Sequence, residues 1–457
     1  MKTTHTPKVV AASLSLAAVM AFFGTSSVLA STWTGVGGNW NSDGNPGWNG
    51  TGVPDAAGAI ADFTSTDNRT VTVDASTRTV GTLTLSGAGD KATSISTTSF
   101  GLIFNNNGAT NAFGTAGALI SNTDSSTGTT NRLDISAGTN STLADDLTIA
   151  NTGGSTRSSG SIVFSNGFGG TGNLIISNVS NNIAAGQIVF GQSSNFAGSV
   201  LIQKGAVTFA QNTSFGGVGN AITLGSSGNS ATLVSTGGST TFSNNITVAA
   251  TVGTNVLGSS NIAATNSTYA GTLLLSGGVS LTSAKTGGAD VRYTGVISGA
   301  GGVTTVGTGE TQFGNASTSI TNTYQGNTTL AETSSLVLSD NAKLTFYVGA
   351  NGVNNQITGT GQALTLDGDF VFDLTGAAAV GSWTIVDVAN LNETFNSTFT
   401  VSGFTESSNV WTMTSGPTTY TFTEATGILT AVPEPSTWML LALTGTIAMV
   451  FRRRRKD

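Results

Sequence analysis

The side chains best suited to chemistry in this sequence are three carboxylates in the stretch LTLDGDFVFDL. Asp367, Asp369 and Asp373 are two and four residues apart, so a β-strand would place all three on one face. Such a group could bind calcium or act as a general acid/base pair. The same spacing is typical of an amphipathic surface strand that acidic side chains keep soluble. We favour this structural interpretation.

Composition excludes most other kinds of catalytic site. The only histidine is His5, and there is no cysteine. Catalytic triads with histidine, histidine zinc sites and thiolate chemistry are therefore excluded beyond the first residues. The stretch GFGGTG (167–172) has the spacing of a dinucleotide-binding loop, but a strand-like sequence follows it instead of the required helix. We expect no cofactor and no bound metal.

Charge is scarce and unevenly distributed. Only 9% of residues are charged, yet five of the 16 basic residues lie within the last six positions. Between about 31 and 431 the chain has 9 basic and 21 acidic residues, a net charge near −12. Nucleic-acid-binding proteins carry basic patches, so we expect no nucleic-acid partner.

The first 30 residues have the pattern of a secretory signal peptide. Lys2 and Lys8 precede the apolar run VVAASLSLAAVMAFF, and small residues end the segment. This pattern predicts cleavage by signal peptidase between Ala30 and Ser31. The alternative, an uncleaved membrane anchor, is disfavoured because the run is shorter than the roughly 20 residues of a membrane span.

The body, from about 64 to 359, consists of short strand-like groups separated by turns. Groups of four to six Val, Ile, Leu, Thr and Phe residues are bounded by Gly, Asn and Ser, and no helical periodicity is sustained. Three units repeat an aromatic residue, a glycine two positions later, a strand, a turn and a second strand. They begin at Asn195 (NFAGSVLIQKGAVTF), Thr268 (TYAGTLLLSGGVSL) and Thr323 (TYQGNTTLAETSSLVL).

This pattern predicts a parallel β-helix. Stacked coils would enclose the aliphatic side chains, glycine would occupy the corners, and asparagine could form ladders between coils. The units resemble the autotransporter-associated β-strand repeat, most clearly between about 295 and 338. That resemblance implies a right-handed parallel β-helix on the outside of a bacterium and does not imply an enzyme.

Both ends of the predicted β-helix differ from its middle. Residues 31–63 contain Trp33, Trp40 and Trp48 and resemble the opening module of the same repeat proteins; we expect an N-terminal cap. A surface on which tryptophan rings stack against sugars is the alternative. Residues 360–431 have longer, regularly alternating strands, which predict an antiparallel C-terminal cap.

The C-terminal tail, 432–457, combines three elements. Pro433, Glu434 and Pro435 form a rigid, extended segment. The apolar residues Trp438–Phe451 follow and predict a short transmembrane helix. The tail ends in a basic cluster that would stop transfer and stay in the cytoplasm. The cluster consists of Arg452, Arg453, Arg454, Arg455 and Lys456.

The order of these elements resembles the PEP-CTERM sorting signal. The resemblance implies that an exosortase removes the tail, in a Gram-negative bacterium that makes exopolysaccharide. A permanent C-terminal anchor is the alternative interpretation.

The sequence as a whole predicts an exported, exosortase-processed protein of the cell surface or extracellular matrix. Its role would be structural or adhesive and not enzymatic, with a transient stage in the inner membrane and an exopolysaccharide as partner. The alternative is a secreted β-helical lyase or glycosidase that degrades polysaccharide. An autotransporter passenger is disfavoured because no C-terminal barrel domain is recognisable in the sequence.

Overall fold

The computed structural model describes residues 30–434 except for 34, 41–46, 51, 65–66, 98–99, 127, 129, 137, 154–159 and 252. Every regular element in this part of the chain is a β-strand. Most strands have three to five residues, in keeping with the short Val-, Ile-, Leu- and Thr-rich groups of the sequence. The prediction of an all-β protein is confirmed.

The strands of the first half are β1 (Ala30–Trp33), β2 (Gly38–Asn39), β3 (Trp48–Gly50), β4 (Ile60–Thr64), β5 (Arg69–Thr72), β6 (Arg78–Val80), β7 (Thr82–Ser86), β8 (Ala92–Ser96), β9 (Leu102–Phe104), β10 (Ala118–Asn122), β11 (Arg132–Ser136), β12 (Ser141–Leu143), β13 (Leu147–Asn151), β14 (Ile162–Phe164), β15 (Phe168–Gly170), β16 (Leu174–Asn178), β17 (Ile188–Phe190), β18 (Val200–Phe209), β19 (Ile222–Leu224), β20 (Ala231–Ser235) and β21 (Thr240–Phe242).

The strands of the second half are β22 (Ile246–Val248), β23 (Asn255–Ser259), β24 (Ser267–Tyr269), β25 (Leu273–Leu275), β26 (Val279–Ser283), β27 (Asp290–Tyr293), β28 (Ile297–Gly299), β29 (Val303–Gly307), β30 (Glu310–Phe313), β31 (Ile320–Tyr324), β32 (Thr328–Leu330), β33 (Ser335–Leu338), β34 (Ala342–Tyr347), β35 (Ile357–Gly359), β36 (Ala363–Leu366), β37 (Asp369–Asp373), β38 (Gly381–Thr384), β39 (Glu393–Phe395), β40 (Thr405–Ser407), β41 (Val410–Ser415), β42 (Thr418–Thr423) and β43 (Ile428–Pro433).

Each strand of the body pairs in parallel with the equivalent strand of the next turn. Leu273, for example, is in register with Ile246 of the turn before and Ile297 of the turn after. Repeated pairing of this kind builds three faces and a β-solenoid of about 13 turns. The predicted parallel β-helix is confirmed.

The glycine of the repeat unit is required by the close stacking of turns. A Cβ atom added at Gly271 would lie 2.1 Å from the carbonyl oxygen of Asn244, and one added at Gly198 would lie 2.3 Å from that of Gly172. These separations are far below ordinary van der Waals contact. Only a residue without a side chain fits there, which explains the aromatic-x-Gly pattern of the sequence.

A column of aromatic side chains runs through the interior. Neighbouring rings have centroids 4.7 to 6.5 Å apart, so the column is continuous across many turns. The two buried hydroxyls of Tyr269 and Tyr293 donate to the carbonyl oxygens of Gly258 and Leu257, at 2.5 and 3.2 Å. The column consists of Phe104, Phe168, Phe164, Phe190, Phe215, Phe209, Phe242, Tyr269, Tyr293, Phe313 and Tyr324.

Asparagines stack at one corner of the solenoid, as the sequence predicts. Asn122, Asn151 and Asn178 are in register on consecutive turns and are buried. The Asn151 amide donates to the Asn178 side-chain oxygen at 2.8 Å. This bond pairs two amide groups that are buried inside a corner, where water cannot reach them.

The N-terminal end is closed by tryptophans. Trp33 and Trp40 are fully buried and pack with Trp48 and Phe63, with ring centroids 5.0 to 6.4 Å apart. Strand β1 pairs in parallel with β4 on one side and antiparallel with β3 on the other, so β3 covers its outer edge. The alternative prediction, rings that stack against sugars, is wrong for Trp33 and Trp40, because neither exposes a ring face.

The C-terminal end combines both kinds of pairing. Strands β38, β43, β42, β41 and β40 form an antiparallel sheet in that order, which confirms an antiparallel cap. Strands β36, β37 and β39, however, still pair in parallel with the solenoid. The parallel pairing therefore continues past residue 359, the boundary that the sequence predicts. Alternation alone does not distinguish parallel from antiparallel pairing, so the sequence does not reveal this extension.

Candidate functional site: the junction of cap and tail

The three carboxylates considered for chemistry each have a structural partner. Asp369 forms an ion pair with Lys343 at 2.6 Å and accepts a hydrogen bond from the Thr400 hydroxyl at 2.5 Å. Asp367 accepts a hydrogen bond from the Asn396 amide at 2.5 Å. These bonds join residues of successive turns.

Asp373 has a local role. Its carboxylate accepts the backbone N–H of Thr375 at 3.0 Å, and hydrogen bonds from Thr375 lower the pKa of Asp373. Among the residues that the structure describes, no three acidic, histidine or cysteine side chains lie close enough together to hold a metal ion. The geometry therefore supports the structural interpretation of these carboxylates.

A cavity of about 380 Å³ lies on the C-terminal cap, beside Trp411, Glu406 and Glu424. Its polar groups are engaged in the fold. The Trp411 indole N–H donates to the Glu424 carboxylate at 2.7 Å, and the Glu406 carboxylate accepts the backbone N–H of Asn409 at 2.8 Å. The second bond closes the tight turn between β40 and β41, where Ser408 and Asn409 have positive φ.

The tail leaves the folded body from strand β43. This strand lies between β38 and β42 in the antiparallel sheet, so it is paired on both sides. Its last residues, Val432 and Pro433, are opposite Thr419 and Thr418 of β42. The Glu434 N–H then donates to the Pro417 carbonyl oxygen at 2.6 Å. Pro433 is thus the last residue of β43, and Glu434 is hydrogen-bonded to the turn that precedes β42.

Pro433 lies at a position where the sheet requires no backbone N–H donor. Successive residues of an antiparallel strand direct their backbone groups to opposite sides. The Glu434 N–H faces β42, so the Pro433 nitrogen faces the β38 side, yet β38 begins at Gly381, opposite Ala431. Proline is tolerated at such an open edge and cannot donate to an added strand.

The side chains at this junction are accessible. Val432 is 59% exposed, and Pro433 and Glu434 are also exposed. Because their backbone is held by β42 while their side chains face solvent, the start of the motif is presented in a fixed, extended conformation. Another protein can reach these side chains without unfolding the cap.

The residues that bind the start of the motif, in β42 and in the turn before it, were not identified from the sequence. Pro417, Thr418 and Thr419 hold the motif, yet they carry no recognisable functional pattern. A turn signal was available, because Gly-Pro separates two alternating runs, VWTMTS and TTYTFT. Gly416 has a φ of 59° at this turn.

The rest of the predicted tail lies outside the described residues. This applies to Pro435, the apolar run Trp438–Phe451 and the basic cluster Arg452–Lys456. In the part that is described, no helix has the length and apolarity needed to span a membrane.

The predicted signal-peptide cleavage site lies at the first strand. Ala30 begins β1 opposite Ile60, and the Ser31 hydroxyl donates to the Gly52 carbonyl oxygen at 2.5 Å. Ser31 is buried, whereas Ala30 is exposed. A cut between them would leave the buried part of β1 in place, and the position of the cut stays a prediction.

Comparison with known proteins finds one similarity. Residues 431–455 match the PEP-CTERM protein-sorting motif. Neither a search of curated proteins nor one of solved structures returned a match. The resemblance of the body to autotransporter-associated repeats therefore stays a prediction. The matched segment begins at the end of β43 and includes Pro433, Glu434, Pro435 and four arginines, and it marks the chain as an exported protein that is targeted to an exosortase.

Proposed function

We propose that this protein is a structural or adhesive component of the bacterial cell surface or extracellular matrix that associates with exopolysaccharide. The N-terminal signal starts export, signal peptidase cleaves after Ala30, and the tail holds an inner-membrane intermediate until an exosortase releases the body. The observation that carries the proposal is the sorting motif, which continues directly from the last strand of the solenoid's cap.

The packed interior of the solenoid supports a structural role. Its interior is filled by packed aliphatic and aromatic side chains along the solenoid. Of the three carboxylates that could have served catalysis, Asp367 and Asp369 join neighbouring turns and Asp373 bonds to its own loop. We therefore propose that the protein is not an enzyme, in preference to a polysaccharide-degrading lyase or glycosidase.

The outer surface carries aligned hydroxyl groups. Ser280, Thr304, Thr329 and Thr358 occupy equivalent outward positions on consecutive turns of the second face, which includes β26, β29, β32 and β35. Consecutive turns of a parallel sheet are about 4.8 Å apart. A regular row of uncharged hydroxyls can donate to and accept from the hydroxyls of a polysaccharide, so this row supports polysaccharide association.

Sedimentation with the host's own exopolysaccharide tests this proposal. The purified protein should pellet with the polymer, and the polymer's chain length should be unchanged after prolonged incubation. A protein that stays in the supernatant would contradict polysaccharide association. Shortening of the polymer would instead support the enzymatic alternative.

A pair of matched variants tests the hydroxyl row itself. Thr304→Lys with Thr329→Lys places two bulky cations in the row and should weaken pelleting. The control, Thr223→Lys with Thr247→Lys, makes the same change at two outward positions that are in register on the first face, in β19 and β22. If both double variants pellet equally well, the row is not the surface that binds the polymer.

A further inference from the structure

We infer that the cut which releases the protein lies C-terminal to Glu434, so that the mature protein keeps all of β43. The inference rests on the proposed processing by an exosortase. It goes further because the motif match covers residues 431–455 without indicating which bond is broken.

Strand β43 is an integral part of the cap. It pairs with β38 from Ala431 to Ile428 and with β42 from Pro433 to Ile428, which joins these two strands in one sheet. Leu429 and Ala431 are buried in the core. A cut between Ile428 and Ala431 would remove part of the strand that joins β38 to β42 and expose the apolar residues beneath them.

The hydrogen bonds of the sheet extend to Glu434. Beyond Ala431 only β42 still pairs with the strand, through Val432, Pro433 and the 2.6 Å bond from the Glu434 N–H to Pro417. A protease needs the scissile peptide free of such bonds so that it can bind it as an extended chain. The peptide bonds of β43 and the one that leads to Glu434 lie within this hydrogen-bonded part of the chain, so they do not meet this condition.

The reaction is hydrolysis of one peptide bond. Water adds its hydroxyl to the carbonyl carbon on the body side, and the nitrogen of the next residue gains a proton as it leaves with the tail. No electron donor or acceptor is needed. The product is a body that ends at Glu434 or later, with a free carboxylate, and a separate tail.

Intact-mass measurement of the released, full-length-expressed protein tests the position. We expect a C-terminus at Glu434 or beyond. In a strain without the exosortase, we expect no released protein. A C-terminus at Pro433 or earlier would overturn the inference while leaving the proposed processing intact. A tail that is never removed in the wild-type host would instead overturn the proposed function, and the inference with it.

A pair of truncated genes tests the physical reason. One chain stops after Glu434 and the other after Gly427, which deletes β43, and both keep the native signal. The first should have the melting temperature of the naturally released protein, and the second should melt lower or be degraded. Equal melting temperatures would show that β43 is dispensable and would contradict the inference.

Discussion

Removing one ring from the interior aromatic column should destabilise the solenoid strongly. Phe190 is 2% exposed, and its ring centroid lies 5.1 Å from that of Phe164 and 4.8 Å from that of Phe215. Because rigid turns above and below prevent collapse, Phe190→Ala should leave a cavity and lower the free energy of unfolding by about 3–5 kcal/mol. Phe113, which is 37% exposed, is the control. Phe113→Ala should change the free energy of unfolding by no more than about 0.5 kcal/mol.

Urea unfolding of residues 31–434 measures this difference. Circular dichroism follows the whole β-structure, whereas tryptophan fluorescence follows the two ends, where Trp40 and Trp383 are buried. A shifted midpoint with an unchanged slope would report a loss of stability alone. If Phe190→Ala cost less than about 1 kcal/mol, or no more than Phe113→Ala, the interior could not be close-packed around this ring.

Three further predictions concern a glycine of the repeat, a carboxylate whose pKa is raised by burial, and the signal peptide. Gly271→Ala should lower the melting temperature clearly, whereas Gly217→Ala, whose Cβ would meet nothing within 4 Å, should not. Burial raises the pKa of Asp62, so the stability that its protonated form provides is lost as the pH rises through that raised pKa. The gain in melting temperature from Asp62→Asn should therefore grow as the pH rises above about 4, the ordinary pKa of an aspartate. N-terminal sequencing of the exported protein should begin at Ser31, and a start more than a few residues away would contradict the predicted cleavage after Ala30.

The repeating part of the fold could be predicted because its determinants are local. Alternation within each short strand sets which side chains face inward. The glycine two residues after Phe196 or Tyr269 is required by close contact with the preceding turn. Pairing partners are not local. Lys343 and Asn396, which bind Asp369 and Asp367, lie 26 and 29 residues away along the chain.

The same limit applies to the ends. The strands after residue 359 alternate equally well for parallel and antiparallel pairing, so the extension of the solenoid into β36 and β39 could not be predicted. The tail motif was recognisable from its order of elements. Its attachment to Pro417 and Thr418 could not be, because the register of β42 and β43 is set by their packing in the cap.

Fractionation of cells shows whether an exosortase recognises the Pro-Glu-Pro motif. Pro433→Ala with Glu434→Ala removes two exposed side chains and retains the backbone bond to Pro417, so the cap should stay folded. The double variant should be exported but remain in the inner membrane, whereas Val432→Ala, the adjacent control, should be released like the wild type. If the double variant and the wild type partition identically between membrane and medium, the motif is not what the exosortase recognises.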